Sequence, residues 1–450
     1  INEAAARSKQ KIKNKKFRMS IATEQLNRTI APVIKDATEF DLKLKPYEKY
    51  VLDNGVEVYA VNAGTQEVMS VELVFSAGNW FEQQNNIAAA TNFLIKNGTK
   101  NKTAFQLNEH FDYYGSHLTR GCYNETANIV LHCINRHLAT HLPVVAELIT
   151  DAIYPQHELD IYRQNMKQRL TVNLKKCDFV AGRLIDEYVF GKNHPYGVYS
   201  NKEDYDALQQ EQLQAYYKQY YTEGKCIIFA AGLLPADFAQ QLNSTIGQLP
   251  LNKKEMPSIV HPLTPAEQMK YRITNDANGV QGAIRLAQPF PNRHHPDFQK
   301  VQVLNTLFGG FFGSRLMSNI REDKGYTYGI HSYILNHIST TAWMISTEAG
   351  RDVCEATITE VYNEMRDLRE ELVDEEELQL VKNYLIGTIL GDLDGPFHII
   401  GRWKNLILNG LDENYFYNSV NIIKTISAKE LQELANKYLQ PEKFYELVVV

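Results

Sequence analysis

The stretch LQAYYKQYYTEGK at residues 213–225 returns in outline as LQELANKYLQPEK at residues 431–443. The identical positions, each separated by 218 residues, are Leu213 and Leu431, Gln214 and Gln432, Tyr220 and Tyr438, and Lys225 and Lys443. Both stretches have the pattern of a helix that leads into an apolar strand. A second pair, Glu158-Leu159 and Glu377-Leu378, recurs at an offset of 219. Two sites that agree on one period indicate a duplicated domain.

This period is too long for a solenoid unit and suits two domains of about 200 residues with the same fold. We predict a lead-in segment at 1–40, an N-terminal domain at 41–248, a linker at 249–268 and a C-terminal domain at 269–450. The linker is predicted where prolines and polar residues interrupt the periodicity. Each half has strands first, helices in the middle and a strand at its end. This order predicts an α+β fold, with a mainly antiparallel sheet that helices cover on one face.

The composition is that of a folded globular protein, since 44% of the 450 residues are apolar and 22% are charged. The 26 tyrosines and 19 phenylalanines are too many packing side chains for a disordered chain. Residues 1–18 carry seven Lys and Arg against one Glu, which leaves 40 basic and 52 acidic residues in the rest of the chain. This acidic excess argues against nucleic acid as a partner, because phosphate binding requires a cationic face.

The sequence predicts no membrane span, disulfide framework or export signal. The longest apolar stretch, CIIFAAGLL at 226–234, is about half of the length that a bilayer requires. The five cysteines are odd in number, widely spaced and contain no CxxC. The basic residues 1–18 are not followed by the apolar segment of a signal peptide, and Met19 is a candidate natural start. We therefore expect a cytoplasmic protein, with a periplasmic location left open.

Four motifs carry a resemblance to a known family: LDNGVEVY at 52–59, Gly-Thr at 98–99, HPYG at 194–197 and GGFFGSRLMSNIREDKGYTYGI at 309–330. From about Tyr50 onward the chain is similar to the M16 (insulinase or pitrilysin type) metallopeptidases. Their short bacterial members and the subunits of the mitochondrial processing peptidase are the most similar. The resemblance implies two LuxS/M16-like domains that form a clam-shell chamber.

The zinc motif of that family is missing from this sequence. Catalytic members carry HxxEH shortly before the Gly-Thr pair, where two histidines bind zinc and the glutamate acts on bound water. The three positions fall here on Ala89, Asn92 and Phe93, none of which can replace its counterpart. The family's third ligand is a glutamate further along, yet residues 161–177 contain no acid. We therefore expect no metal or other cofactor in this chain.

Three other groupings offer weaker signals. His137 and His141 have the spacing of one helix face, with His132 upstream, but no glutamate lies beside either. The adjacent histidines at 294–295 precede a proline and have the pattern of a loop. The glycine-rich residues 309–313 lack the GK[ST] ending of a phosphate-binding loop. A structural role is the plainer interpretation of each.

Arg321 and Tyr328 are the remaining candidates for a role in catalysis, and they lie in the most specific of the four motifs. The resemblance implies that they face the zinc across the chamber and help to bind and polarise the substrate peptide. A guanidinium can donate to a peptide carbonyl, and a phenol can donate to the developing oxyanion. The structural alternative is an arginine in a surface ion pair with Glu322 or Asp323 and a tyrosine on a strand.

Two functions of different classes fit these observations. In the first, the chain is a zinc-less M16 subunit, inactive alone, that forms a heterodimer with an HxxEH-bearing sibling subunit or pairs with itself. Arg321 and Tyr328 would then assist hydrolysis of extended peptides that add as strands to a sheet edge of the sibling, which holds the zinc. In the second, the chain is a structural scaffold, like the core subunits of the respiratory cytochrome bc1 complex that the family resembles. A third interpretation is an independent peptidase with an unrecognised site.

Overall fold

The computed structural model describes residues 36–450, so the basic residues 1–18, Met19 and most of the predicted lead-in segment lie outside the described residues. The strands of the N-terminal half are β1 (Glu48–Val51), β2 (Glu57–Asn62), β3 (Val68–Phe75), β4 (His117–Cys122), β5 (Ala127–Ile134) and β6 (Cys226–Gly232). Its helices are α1 (Ile87–Leu94), α2 (Ala104–Tyr113), α3 (Leu138–Thr150), α4 (Gln156–Asn173), α5 (Cys177–Phe190), α6 (Lys202–Asp206), α7 (Gln210–Tyr217) and α8 (Phe238–Thr245).

The C-terminal half repeats this succession of strands and helices. Its strands are β7 (Lys270–Ile273), β8 (Gln281–Phe290), β9 (Thr327–Ile334), β10 (Thr341–Gly350) and β11 (Tyr445–Val449). Its helices are α9 (Phe298–Asn305), α10 (Cys354–Glu370), α11 (Glu375–Gly391), α12 (Pro396–Leu408), α13 (Glu413–Thr425) and α14 (Ala428–Tyr438).

The two sheets share one topology. The strand order is β1-β2-β6-β3-β5-β4 in the N-terminal sheet and β7-β11-β8-β10-β9 in the C-terminal sheet. Neighbouring strands pair antiparallel, except that β2 pairs parallel with β6 and β7 pairs parallel with β11. The parallel pair therefore occupies the same place in each sheet, and β1 is an additional edge strand. The predicted α+β fold with two homologous, mainly antiparallel halves is confirmed.

The two repeated stretches form equivalent helices, α7 and α14. Both helices begin with a capping box, at Gln209 and at Ser427, which satisfies backbone donors of the first turn. Leu213 and Leu431, the first residues of the repeat, are both fully buried. Each helix is followed by a strand that lies inside its sheet, β6 or β11. The repeat in the sequence therefore corresponds to the same helix and the same internal strand in each half.

Each half also covers a face of the other half's sheet with one of its helices. Helix α5 packs on the C-terminal sheet in a cluster that contains Ala181, Ile185, Val189, Ala283, Ala287, Met344 and Leu447. Helix α12 packs on the N-terminal sheet in a cluster that contains Tyr59, Val61, Phe229, Ala231, Ile399, Ile400 and Trp403. The other face of each sheet packs against helices of its own half. Our prediction of helices on one face was therefore wrong, because it considered only the helices within the same half.

The segment between the halves runs over their junction. Residues 249–269, which include the predicted linker, contain neither helix nor strand. The backbone N–H of Ala266 donates to the carbonyl of Tyr188 at 2.8 Å, and the Tyr445 hydroxyl donates to the Ala266 carbonyl at 2.8 Å. The two halves are packed against each other, and the clam-shell chamber stays a prediction. None of the helices within residues 36–450 is long and apolar enough to cross a bilayer.

Candidate functional site

The three positions of the missing zinc motif lie on α1. Ala89 is half-buried and has no donor atom. Asn92 is 2% exposed, and its side-chain amide donates to the carbonyl of Asn128 at 3.2 Å. Phe93 is 47% exposed. The side chains at these positions therefore offer no imidazole and no carboxylate to a metal.

Phe93 is held between two side chains that come from distant parts of the sequence. The ring of Tyr162, on α4, lies 5.1 Å from the Phe93 ring, centroid to centroid. On β4, the guanidinium of Arg120 lies 4.6 Å from the same centroid, and its Nε donates to the Phe93 carbonyl. Burial lowers the pKa of Arg120 to about 10, which leaves the guanidinium cationic at neutral pH. A cation stacked at this position opposes binding of a second cation, so the residues present do not fit zinc.

Glu82 holds the beginning of α1, the helix that carries the three zinc-motif positions, and our reading of the sequence missed it. Its carboxylate accepts hydrogen bonds from the backbone N–H groups of Asn86 at 3.2 Å and Ala88 at 3.0 Å, at the beginning of α1. Burial raises the pKa of Glu82 to about 7. A carboxylate at a helix N-terminus satisfies free N–H groups and complements the helix dipole. The sequence did contain a signal for this role, because Glu82 is an acid four residues before Asn86, where the helical pattern begins.

The histidines noted in the sequence also form hydrogen bonds within the fold. His141 is fully buried, with Nδ1 at 3.1 Å from Nε2 of His110 and Nε2 at 2.8 Å from the Ser116 hydroxyl. Burial, reinforced by the neighbouring histidines, lowers the pKa of His141 to about 4. His294, in a loop, lies 2.9 Å from the Asn409 carbonyl. Within residues 36–450, no three His, Cys, Asp or Glu side chains are grouped so that they could hold a metal ion.

The structure brings Arg321 and Tyr328 side by side in the C-terminal half. Arg321 lies in a π-helical turn, Met317–Asp323, and Tyr328 is the second residue of β9, an edge strand. The connection passes through Gly325, whose φ of +67° is a conformation that glycine adopts without strain. The Nε of Arg321 donates to the backbone carbonyl of Tyr328 at 3.0 Å. The arginine thus fixes the backbone from which the tyrosine projects.

Both side chains line an open groove of about 690 Å³, together with Thr327, Glu348 and the first residue of β8, Gln281. Tyr328 is 98% exposed, and its hydroxyl makes no hydrogen bond to any of the described residues. The phenol is therefore free to bind a group from outside the chain.

Arg321 makes further contacts on the same surface. Its guanidinium lies 4.6 Å from the ring centroid of Phe312, which is 62% exposed. Its Nη1 lies 3.5 Å from the Glu322 carboxylate, the ion pair that the structural alternative anticipates. An exposed pair of this kind contributes roughly 0–1 kcal/mol, so it leaves the guanidinium available to a stronger acceptor.

Part of the chain matches a known protein family. Residues 207–385 match the family model described as "Peptidase M16 inactive domain". Arg321 and Tyr328 lie inside the matched residues, whereas the zinc-motif positions on α1 lie outside them.

Two bacterial relatives cover nearly the whole chain. The chain is 21% identical over 399 residues to "Uncharacterized zinc protease YmxG" of Bacillus subtilis (strain 168), a match that covers 87% of this chain and 95% of that protein. It is 22% identical over 379 residues to "Non-peptidase homolog YmxG" of Helicobacter pylori (strain ATCC 700392 / 26695), with 82% and 86% covered. Similar proteins thus include both a named protease and a named non-peptidase.

Three solved structures share the fold. A peptidase M16 inactive domain from Pseudomonas fluorescens matches with a TM-score of 0.80 at 21% identity, over 90% of this chain and 98% of that chain. A protease from Helicobacter pylori matches with a TM-score of 0.81 at 16% identity, over 90% and 100%. A chain of complex III2 from Candida albicans matches with a TM-score of 0.68 at 15% identity, over 89% and 95%. At these identities the likeness shows the fold alone.

Proposed function

We propose that this chain belongs to the M16 peptidase family and acts as a zinc-less subunit of a peptidase whose zinc is held by a sibling subunit with an intact HxxEH motif. The observation that carries the proposal is the pairing of an exposed, unpartnered Tyr328 phenol with the Arg321 guanidinium at one groove. The zinc-motif positions of the same chain hold Ala89, Asn92 and Phe93. The chain therefore has hydrogen-bond donors for a substrate and lacks the groups that activate water.

The chemistry of the two side chains supports this division of labour. A guanidinium donates to a carbonyl in a fork geometry and keeps its charge at any working pH. A phenol is a neutral donor, suited to an oxygen that becomes negative as a peptide bond is attacked. In the proposed complex both groups approach the peptide from the side opposite the sibling's zinc. The peptide itself lies extended along a sheet edge of the sibling, bound through its backbone.

The requirement for a second chain agrees with how this one folds. The groove at Tyr328 is open, and its lining residues all belong to the C-terminal half. A substrate bound there is enclosed only when another subunit covers the groove. A sibling subunit is the proposed partner, and a second copy of this chain is the alternative.

A scaffold without catalytic function is the second candidate. It is favoured by the likeness to a chain of the Candida albicans complex III2 and by the relative named as a non-peptidase homolog. On this proposal the exposed Tyr328 and Phe312 would serve as contact residues for another subunit, since exposed aromatic side chains are enriched at protein interfaces.

The test is a mixing experiment with the HxxEH-bearing M16 protein from the same organism. Each subunit is assayed alone and in an equimolar mixture for cleavage of an unstructured peptide, with Tyr328→Phe and Arg321→Ala in this chain. We expect cleavage by the mixture to fall by about 10- to 100-fold with either variant, because each removes one donor to the transition state. Tyr113→Phe, at another exposed tyrosine, is the matched control and should have no effect. A complex that forms but cleaves equally well with all variants would support the scaffold and overturn the assisting role.

A further inference from the structure

A second cavity, of about 500 Å³, lies in the C-terminal half between α9, α12 and α13. We call it the α9–α12–α13 pocket. It shares no lining residue with the groove at Arg321 and Tyr328, so it is a separate feature. Its volume falls within the range of about 300–1,000 Å³ that is usual for small-molecule sites.

Two arginines face this pocket, and their charges are incompletely balanced. Arg402 donates from Nη2 to the carboxylate of Asp392 at 2.5 Å, while its Nε is buried without a hydrogen-bond partner among the described residues. Arg293 donates from Nε to the neutral side-chain amide of Asn336 at 2.9 Å and forms no ion pair within residues 36–450. Burial lowers the pKa of Arg293, the Tyr415 phenol opposes this change, and the nearby charge of Arg402 adds a smaller lowering effect. An anion placed between the two guanidinium groups would relieve this repulsion.

The remaining titratable groups of the pocket do not remove the excess of positive charge. Besides Asp392 they are His398 on α12 and the phenol of Tyr415 on α13. One carboxylate therefore faces two guanidinium groups, and that carboxylate lies at the exposed rim, with 52% of its side chain accessible.

The walls of the pocket are aromatic. The Arg293 guanidinium lies 5.6 Å from the ring centroid of Phe298, and that of Arg402 lies 5.3 Å from the centroid of Phe416. Phe397, 40% exposed, also lines the pocket. Such rings hold the guanidinium planes in place and offer an apolar surface to a bound molecule.

We propose that the α9–α12–α13 pocket binds a small molecule that carries a carboxylate or a phosphate on an apolar body about the size of one aromatic ring. Guanidinium groups recognise both anions in a bidentate geometry, and the two guanidinium groups of this pocket have only the Asp392 carboxylate as an ionic partner among the described residues. The aromatic walls would hold the body of the ligand, while Asp392 at the rim disfavours a second negative charge there.

The binding test uses the full chain and four probes of one ring each: benzoate, phenyl phosphate, neutral benzyl alcohol and cationic benzylamine. Ligand-observed NMR titrations give the dissociation constant of each. We expect at least one of the two anions to bind with a Kd on the order of 1 mM or below, and the neutral and cationic probes to bind at least about tenfold more weakly. The tighter anion identifies the group that the pocket prefers. Equal binding of all four probes, or no binding of either anion, would overturn the proposal.

A pair of glycine variants then places the binding in this pocket without changing any charge. Gly401, on α12, lines the pocket, and a Cβ added there meets no other atom within 4 Å. Gly387, on α11, is equally open but lies outside the pocket. Both are interior helix positions, so Gly→Leu should favour each helix by a similar amount, and thermal unfolding checks that both variants fold.

We expect Gly401→Leu to weaken anion binding by at least about tenfold, because its side chain occupies the cavity, and Gly387→Leu to bind as the wild type does. Unchanged binding by Gly401→Leu, or equal losses in both variants, would show that the anion binds elsewhere. Arg402→Gln is a further variant with the same expected loss of anion binding and no expected change for benzyl alcohol.

Discussion

Lys404 of α12 extends from the C-terminal half to Glu72 on β3 of the N-terminal sheet, where its Nζ lies 2.8 Å from the carboxylate. The equivalent contact on the other sheet has its charges reversed, since Arg285 on β8 donates to Asp178 on α5. In the sheets, Glu72 lies opposite Phe229 on β6, and Arg285 lies opposite Leu447 on β11. Phe229 and Leu447 are themselves 218 residues apart, which is the offset of the repeat. Each half thus fixes the helix that it receives from the other half with one ion pair at the same place in its sheet.

Loss of the Lys404 charge should loosen this junction. In Lys404→Met the carboxylate of Glu72, which is mostly buried, keeps only one donor within residues 36–450, the Asn128 amide at 2.7 Å. We expect a decrease of about 2 kcal/mol in the free energy of unfolding, because a buried charge loses its partner. Urea denaturation measures it. Adding Glu72→Gln should recover much of the loss, whereas Lys429→Met, at an exposed lysine of α14, should change the free energy little.

Arg321 and Tyr328 should differ in their effect on stability. Arg321→Ala removes a hydrogen bond to the Tyr328 carbonyl and the contact with Phe312, so we expect a loss of about 1 kcal/mol. Tyr328→Phe removes an exposed hydroxyl and should change the free energy of unfolding by less than about 0.5 kcal/mol. Chemical denaturation of the isolated chain checks both values. A marked destabilisation by Tyr328→Phe would mean that the phenol has a structural partner after all.

Glu82 should make stability depend on pH between about 4.5 and 7. Burial raises its folded-state pKa to about 7, so its contribution is complete below the unfolded value of 4.5 and is lost as the pH rises through 7. The wild type should therefore lose roughly 3 kcal/mol relative to Glu82→Gln across this window. Unfolding free energies at several pH values give the difference.

Glu430 offers a contrast for that experiment. Its hydrogen bond from Lys300 and those from Ser427 lower its pKa to about 2. Its contribution is therefore present above 4.5 and is lost as the pH falls towards 2. The difference between the wild type and Glu430→Gln should stay flat from pH 4.5 to 7, where the Glu82→Gln difference changes. A flat profile for Glu82→Gln would contradict the raised pKa.

Zinc binding can be tested directly by metal analysis after dialysis. We expect the wild type to retain far less than one zinc per chain, because its zinc-motif positions have no suitable donor. The variant Ala89→His/Asn92→Glu/Phe93→His should gain only weak binding, since Arg120 still places a cation beside position 93. Adding Arg120→Ser should tighten zinc binding by about tenfold or more. Equal affinity with and without Arg120 would show that the guanidinium is no obstacle.

The sequence alone led to much of the fold because duplication leaves a periodic trace. Leu213 and Leu431 occupy the same buried place at the start of α7 and α14, so burial preserves a signal in both copies. The exchange of α5 and α12 was not predicted. One signal for it was present in β6, where CIIFAAG is apolar without alternation, a pattern typical of a strand buried on both faces. Which helix covers the second face depends on long-range packing, and local periodicity does not report it.

The candidate site divides in the same way. Residue identity alone determined that Ala89 and Phe93 offer no ligand atom for zinc and that Asn92 is a poor general base, because a methyl group and a phenyl ring have no donor atom and a neutral amide does not take up a proton near neutral pH. Only the tertiary structure decided that Arg120 and Tyr162 enclose Phe93, since they arrive from β4 and α4. It also decided that Tyr328 stands exposed beside Arg321. The chemistry of a side chain is covalent and local, whereas its exposure and partners are set by which distant segments the folded chain brings together.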